Sequence, residues 1–157
     1  MNVGELMTRS VRTCMPTDML SCAARAMWEG DCGCVPIVDT NSFVMAMLTD
    51  RDICMAAYLQ GKPLHEIPIC SAMSTQLFTC KSDDSIEAAE TIMRRHQVRR
   101  LPVTDLGGRL VGLLSLNDIT RHIERSRHNG EGALSSQAVA QTLAAICSPP
   151  RPAPPNS

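Results

Sequence analysis

Aromatic residues are nearly missing: two Phe, one Tyr and one Trp in 157 residues. A core so poor in rings has to be filled by Met, Leu, Ile, Val, Ala and Cys, and the chain supplies ten Met and eight Cys, which suits small, adaptable packing. No apolar run is long enough to cross a bilayer and no secretory apolar segment opens the chain, so a soluble cytoplasmic protein is expected. Neither sign of charge dominates. Fifteen Lys and Arg against sixteen Asp and Glu leave a net charge of −1, which argues against a general nucleic-acid binder. The motifs of catalysis are missing as well: no G-x-G-x-x-G opening a helix, no Walker-type lysine loop, no H-E-x-x-H, and no Ser/His/Asp or Cys/His set. No catalytic residue is assigned, and the chain reads as a protein that is not an enzyme. A disulfide framework is also unexpected, because the sequence does not resemble a short, loop-rich secreted scaffold. Cys14, Cys22, Cys54, Cys80 and Cys147 fall among apolar neighbours and read as small buried hydrophobes.

What is present is one unit written twice. Ala46-Met47-Leu48-Thr49-Asp50-Arg51-Asp52-Ile53 has a near-copy, Gly112-Leu113-Leu114-Ser115-Leu116-Asn117-Asp118-Ile119, 66 residues further on. The offset holds without a gap: Met7 falls on Met73, Asp18 on Asp84, Ala23 on Ala89, Met27 on Met93, Pro36 on Pro102 and Asp39 on Asp105. Scattered apolar residues would drift out of register over such a length.

Each copy reads as strand, helix, strand, strand, helix. In the first, Val11 to Cys14 is a brief strand, and Thr17 caps a helix from Asp18 with Leu20, Ala23, Ala24, Met27 and Trp28 facing in. Cys34 to Val38 and Phe43 to Leu48 form a hairpin, and Thr49 caps the closing helix. In the second, the elements are Leu77 to Cys80, Asp83 to His96, Arg100 to Thr104, Arg109 to Leu114, and a helix from Ser115. The fold class is α/β in the α+β sense: two pseudo-twofold-related β-α-β-β-α units packed through their small sheets, since each alone buries too little apolar surface. The expected division is residues 1–61 for the first unit, 62–72 for a Pro-punctuated linker and 73–126 for the second unit. Residues 127–157 are expected to hold an accessory short helix, Ala133 to Cys147, and a Pro-rich disordered tail.

Thr49 with Asp52 and Ser115 with Asp118 stand where an apolar strand ends and a helix begins. Such a pair fits a capping box. It also fits a sugar-and-phosphate station, the carboxylate accepting ribose hydroxyls while the hydroxyl and helix N-terminus face a phosphate oxygen. Arg94, Arg95, His96, Arg99 and Arg100 form a basic cluster, with Lys81 and Arg51 as further candidates. A solvated helix end accounts for part of it, but Arg99 and Arg100 on one strand turn to opposite faces. The matching positions of the first unit are Gly33 and Cys34, so the two prospective pockets are unequal. Cys32-Gly33-Cys34 fits small pocket-lining residues, with a metal or thiol-redox role as the alternatives; no metal ligand is assigned.

The repeat with its Thr/Ser-x-x-Asp ends, together with His96-Gln97-Val98-Arg99-Arg100-Leu101-Pro102-Val103, resembles a tandem cystathionine-β-synthase (CBS) domain pair, or Bateman module, of the small stand-alone bacterial type, over residues 3 to 125. That resemblance implies two clefts that bind adenosine compounds (AMP, ADP or ATP, with S-adenosylmethionine or NAD as alternatives), no obligatory cofactor, and a flat homodimer. In one cleft it makes Asp118 the ribose carboxylate and Ser115 the phosphate-side hydroxyl, with Met15, Leu20, Cys32 and Gly33 as the adenine wall. The other is built from Asp52 and Thr49 with Lys81, Ile86, Val98 and Arg99, and with Arg100 as a further phosphate group. Ala46 stands where the second unit has Gly112, so backbone approach at Ala46 is expected to be slightly tighter. Gly33 and Cys34 bring no charge to the Asp118 cleft, so the Asp52 cleft is expected to be the better nucleotide site. The implied role is regulation or energy sensing, exerted in trans on a protein partner. A protein-interaction module whose Asp residues only cap helices is the competing expectation.

Overall fold

The structure is a computed structural model and describes residues 1–74, 76–128 and 136–149. Its elements run α1 (Val3–Leu6), α2 (Leu20–Glu29), β1 (Cys34–Val38), β2 (Val44–Thr49), α3 (Asp50–Gln60), two single 3₁₀ turns (Leu64–Glu66 and Ile69–Ser71), β3 (Cys80–Lys81), α4 (Ile86–His96), β4 (Arg100–Thr104), β5 (Leu110–Ser115), α5 (Leu116–His128) and α6 (Ser136–Cys147). The mixed α+β class with two small sheets is as the repeat implies: β1 pairs antiparallel with β2, and β3, β4 and β5 form the second sheet. Among the described residues no helix is long and apolar enough to cross a membrane.

Local chemistry moves several boundaries. The strand expected at Val11 to Cys14 shrinks to one parallel bridge, Cys14 to Ile37, and its counterpart is the two-residue β3. Thr17 does not cap α2. Met19 is the N-cap, without a side-chain bond, and the Asp18 carboxylate instead accepts the Met15 N–H at 2.8 Å. Asp84 treats the Lys81 N–H the same way at 2.7 Å. α2 buries Leu20, Ala23 and Met27, but Trp28 is 88% exposed, because one further residue around the helix carries it past the apolar stripe. Of the cysteines expected to be buried, Cys14 and Cys80 are; Cys22, Cys54 and Cys147 are exposed, the first two on outward helix positions. The expected accessory helix is α6 from Ser136; its expected first residues, 133–135, and the Pro-rich tail from Pro150 lie outside the described residues.

The two copies are joined by reciprocal backbone bonds. Val3 N–H donates to Asp84 O at 2.9 Å and Gly4 N–H to Ser82 O at 2.8 Å, while 66 residues on, Ile69 N–H donates to Asp18 O at 2.8 Å and Cys70 N–H to Pro16 O at 3.0 Å. Thr8 bridges to Leu113 and Ser74 to Met47, the same pair with the copies exchanged. Phe43 bridges to Arg109, its own counterpart, so this pair lies on the pseudo-twofold axis. The apolar interior accordingly divides into two clusters. Leu20, Ile37, Leu48, Ile67 and Ile69 belong to one; Val3 and Met7, from the chain's first residues, join Ile86, Met93, Leu101 and Leu114 in the other.

Gly112 marks where this exchange is tightest. A Cβ there would meet Met7 Sδ at 2.5 Å and the Thr8 carbonyl oxygen at 3.0 Å, and Thr8 and Leu113 exchange two N–H bonds of 2.9 Å. Ala46, the first copy's equivalent, tolerates its methyl because the segment passing it is held by a single bond of 3.3 Å, from Ser74 N–H to Met47 O. The tight approach is therefore at Gly112, the reverse of the expectation that Ala46 would sit closer.

α6 packs on α4 and α5. Thr142, fully buried, donates to Glu90 Oε1 at 3.3 Å, and Gln97 Nε2 donates to the carbonyls of Ala145 and Ser148, each at 3.0 Å. Glu90 is 2% exposed. Burial pushes its carboxyl above the usual range, aided by Glu87 and opposed by the Thr142 hydroxyl and Arg94.

Gly112→Ala is expected to destabilise the fold by about 1–3 kcal/mol through overpacking against Met7 and the Thr8 backbone, read from the denaturant midpoint. For Glu90 the folded state holds the proton more tightly than the unfolded chain, so its contribution is complete below the unfolded pKa and is lost as pH rises through the folded value. Glu90→Gln should therefore raise the thermal midpoint more at about pH 8 than at about pH 5; an equal shift at both would show that the buried charge does not matter.

Candidate functional site: two clefts at the capped helices

Thr49 ends β2 and caps α3; Ser115 ends β5 and caps α5. In the first cap, Asp52 Oδ2 accepts the Thr49 N–H at 2.8 Å and its hydroxyl at 2.7 Å, while the Asp52 N–H donates back to the hydroxyl at 3.2 Å. The second repeats this at 2.9, 2.6 and 3.2 Å with Ser115 and Asp118. The short Asp stem thus completes the box, and it does so with Oδ2 alone. Oδ1 is left for other work, and here the copies differ. Among the described residues Asp52 Oδ1 accepts no hydrogen bond. Asp118 Oδ1 accepts from Arg121 Nη2 at 2.8 Å, with the Asp118 side chain only 11% exposed. The counterpart of Arg121 is Met55, which has no charge to offer.

Each cap opens into a cleft. The Asp52 cleft, of about 490 Å³, is lined by Thr49, Asp50, Arg51 and Asp52 with Cys34 and Met47, and from the second unit's side by Ser74, Gln76, Phe78, Gln97, Val98, Arg99 and Arg100. The Asp118 cleft, of about 290 Å³, is lined by Leu113, Ser115, Asn117, Asp118 and Arg121 against Thr8, Ser10, Val11, Arg12, Gly30, Asp31, Cys32, Cys34 and Arg100. The first lies within the usual range for small-molecule sites and the second at its lower edge, about 300 Å³. They are images of one another at the 66-residue offset, Thr8 matching Ser74, Arg12 matching Phe78 and Asp31 matching Gln97.

Charge separates them. Arg12 is tied to Glu29 at 2.7 Å and Arg121 to Asp118 at 2.8 Å, whereas Arg51, Arg99 and Arg100 form no ion pair with a described carboxylate. Phe78 stacks on His96 with centroids 3.7 Å apart, giving the Asp52 cleft a ring held from behind, a flat apolar wall of the kind a heterocycle packs against. Cys34, at the back of both clefts, is a neutral thiol at ordinary pH. Burial pushes it up to about 11, with Cys32 and Asp50 adding to the rise and Arg100 opposing it. Cys32 Sγ donates to the Cys34 carbonyl at 3.4 Å. Among the described residues no three His, Cys, Asp or Glu converge on a point that could hold a metal ion.

Of the residues singled out in the sequence, Thr49, Asp52, Val98, Arg99 and Arg100 come together in one cleft and Ser115, Asp118 and Cys32 in the other. Leu20, Ile86, Met15 and Lys81 line neither. Leu20 and Ile86 are fully buried core residues, turned inward at the first turns of α2 and α4, and Met15 is 41% exposed. Lys81 is exposed; its backbone and that of Met15 are fixed by the Asp84 and Asp18 carboxylates. Gly33 lines an adjoining hollow of about 420 Å³ over α2 and α3, bounded by Ala24, Met27, Trp28 and Ile53 and sharing Asp31, Cys32, Asp50 and Arg100 with the two clefts. The expectation that the Asp118 cleft is nearly without basic groups is also corrected: Arg12, Arg100 and Arg121 line it, reaching it from outside the 33–34 segment. Sequence reasoning missed Phe78, Gln97, Arg12 and Arg121. Two signals could have found them. Phe78 matches Arg12 and Gln97 matches Asp31 in the repeat register, and Arg121 lies three residues past Asp118, on the same face of one helix.

The family model of the CBS domain matches twice, over residues 3–58 and 66–125. The chain belongs to the CBS-domain family, as a tandem pair. It is 36% identical over 118 residues to the CBS domain-containing protein YhcV of Bacillus subtilis, covering 75% of this chain and 82% of that one. It is 31% identical over 145 residues to hypoxic response protein 1 of Mycobacterium tuberculosis, covering 92% and 93%. A crystal structure of Hypoxic Response Protein I, with two coordinated zinc ions, superposes with a TM-score of 0.71 at 30% identity, over 78% of this chain and 98% of that one. CBSX2 from Arabidopsis thaliana, solved in complex with AMP, shares the fold at a TM-score of 0.70 and 20% identity, over 80% and 98%.

Proposed function

We propose that this CBS pair is a regulatory or energy-sensing module that binds an adenosine ligand of the AMP, ADP or ATP type and carries out no chemistry of its own. The Asp52 cleft is the principal site. The observation that carries this reading is a carboxylate oxygen, Asp52 Oδ1, without a partner among the described residues, in a cleft also lined by Arg51, Arg99 and Arg100, none of them ion-paired to a described carboxylate. A carboxylate accepts from two hydroxyls but repels a phosphate, and unpaired guanidinium groups do the reverse. A ligand that satisfies both carries vicinal hydroxyls next to phosphate, and Phe78 with Val98 and Met47 suits a purine beside them. In this reading the Asp118 cleft is the weaker site, because Asp118 Oδ1 must first release Arg121. The role is exercised on a protein partner in trans, in the cytoplasm.

The same module pairs with a second copy through the outer face of α2 and α3. Trp28 is 88%, Tyr58 79% and Leu59 73% exposed there, while the equivalent positions of the second unit are Arg94, Glu124 and Arg125 and α6 lies over α4 and α5. A patch of large apolar side chains on a small protein marks an interface.

Isothermal titration of ligand-free protein with AMP, ATP, NAD and S-adenosylmethionine tests the first reading; AMP leads because the same fold holds it in CBSX2. Saturable binding of one of them is expected, weakened about tenfold or more in a folded Asp52→Ala protein. Four flat titrations against folded protein would overturn it and favour the interaction module. Sedimentation of wild type against Trp28→Glu with Tyr58→Glu tests the pairing. A dimer that dissociates to monomer is expected, and an unchanged mass would place the interface elsewhere.

A further inference from the structure

Two side chains line both clefts, and one of them is charged. Arg100, half-buried at the start of β4, lines the Asp52 cleft and the Asp118 cleft alike. Two observations explain why. Across the β4–β5 ladder Arg100 is paired with Ser115, the hydroxyl of the Asp118 cap, just as Cys34 is paired with Thr49 across β1–β2. Cys34 and Arg100 are also counterparts at the 66-residue offset, and Cys34 too lines both clefts. The position sits between the two sites by virtue of the pseudo-twofold, and only one of its two occupants is charged. Two equivalent stations therefore share one guanidinium.

We propose that Arg100 is a phosphate-binding group common to the two clefts, so that phosphorylated adenosine ligands fill them antagonistically. The proposal rests on the adenosine-ligand reading above and specifies how its two sites are regulated. A phosphate monoester carries about −1.5 to −2 charge at neutral pH, more than one guanidinium neutralises. The Asp52 cleft has Arg51 and Arg99 besides. In the Asp118 cleft the other two cations are already engaged, Arg12 with Glu29 and Arg121 with Asp118. A phosphate in the Asp52 cleft draws Arg100 and leaves the Asp118 cleft with no unpaired cation among its described lining. Linkage makes the effect mutual: a ligand in the Asp118 cleft weakens the Asp52 cleft by the same factor. The ligand's phosphate is the part that competes; its base and ribose occupy separate walls. A low concentration of nucleotide then fills one cleft, and the second fills only at a markedly higher concentration, which widens the range over which the module responds.

The test is titration with AMP and, separately, with adenosine, of wild-type protein, of Asp52→Ala (leaving the Asp118 cleft) and of Asp118→Ala (leaving the Asp52 cleft). With AMP, the second site of wild type should bind about tenfold or more weakly than the Asp118 cleft does alone in Asp52→Ala, a typical coupling. With adenosine the gap should vanish. Arg100→Gln should abolish the AMP gap and weaken AMP at the Asp118 cleft more than at the Asp52 cleft, while Arg100→Lys, which keeps the charge, should retain the gap. A gap of equal size with adenosine, a gap that survives Arg100→Gln, or an Asp118 cleft that stays empty in Asp52→Ala would each overturn the proposal. AMP binding at two sites with no gap overturns the sharing but leaves the adenosine-ligand reading standing. Absence of binding by both AMP and adenosine overturns both. Should Arg100→Gln fail to fold, the comparison of AMP with adenosine on wild type and Asp52→Ala decides alone.

Discussion

The backbone exchange between the two copies is the constraint on which the clefts depend. Residues 2–8 hydrogen-bond into the second unit and residues 68–74 into the first, through matching donors and acceptors apart from the Leu113 N–H to Thr8 carbonyl bond, which has no counterpart. These bonds use groups that every residue except proline possesses, so they hold the copies in register without demanding identical side chains. The side chains lining the clefts were thereby free to diverge, and did: Arg12 against Phe78, Asp31 against Gln97, Cys34 against Arg100. A symmetric scaffold carries an asymmetric pair of sites. Gly112 is the point at which the scaffold dictates a residue, because Met7 and the Thr8 carbonyl leave no room for a side chain.

Within each cleft only one carboxylate oxygen is committed to the cap. Oδ2 completes the cap, and an uncapped helix start typically costs about 1 kcal/mol. Oδ1 is not needed for that. On the adenosine-ligand reading proposed above, this division removes the competition between capping and ligand binding that a single-atom acceptor would face, and it fixes the carboxylate's orientation before any ligand arrives. In the Asp118 cleft the same atom is held by Arg121 across one helical turn, so the preorganised carboxylate has an internal occupant. The difference between the two carboxylates comes from one side chain on the exposed face of α5, not from the cap.

How much of this is legible in the sequence follows from what kind of force decides each feature. The caps are legible because Thr49-x-x-Asp52 and Ser115-x-x-Asp118 are local: three residues of spacing and a strand before them suffice. The repeat fixes which positions correspond. Cleft walls are tertiary, and they are legible only in part. The family resemblance puts Leu20 and Ile86 in ligand walls, yet the first turn of an amphipathic helix hands its apolar residue to the core. Met15 and Lys81 each precede a turn closed by the carboxylate of Asp18 or Asp84, a bond invisible to periodicity. Arg12 and Arg121 reach the Asp118 cleft from a loop and from a helix face, whereas the basic cluster that stands out along the chain lies on α4 and β4. Trp28 reads as core because it follows Met27; one step around a helix is about 100°, enough to cross from stripe to solvent.

α6 has a consequence for how many copies of this module can join. A pair of like units presents two like outer helix faces, and an object with two adhesive faces can add neighbours on both, growing without limit unless the geometry happens to close. Here one of those faces is sealed from within the same chain, by a helix whose Thr142 and last carbonyls are bound to Glu90 and Gln97. In the pairing proposed above, that leaves one apolar face, on α2 and α3, and self-association through a single self-complementary face terminates at two; on that reading the helix appended after the repeat acts as a chain stopper.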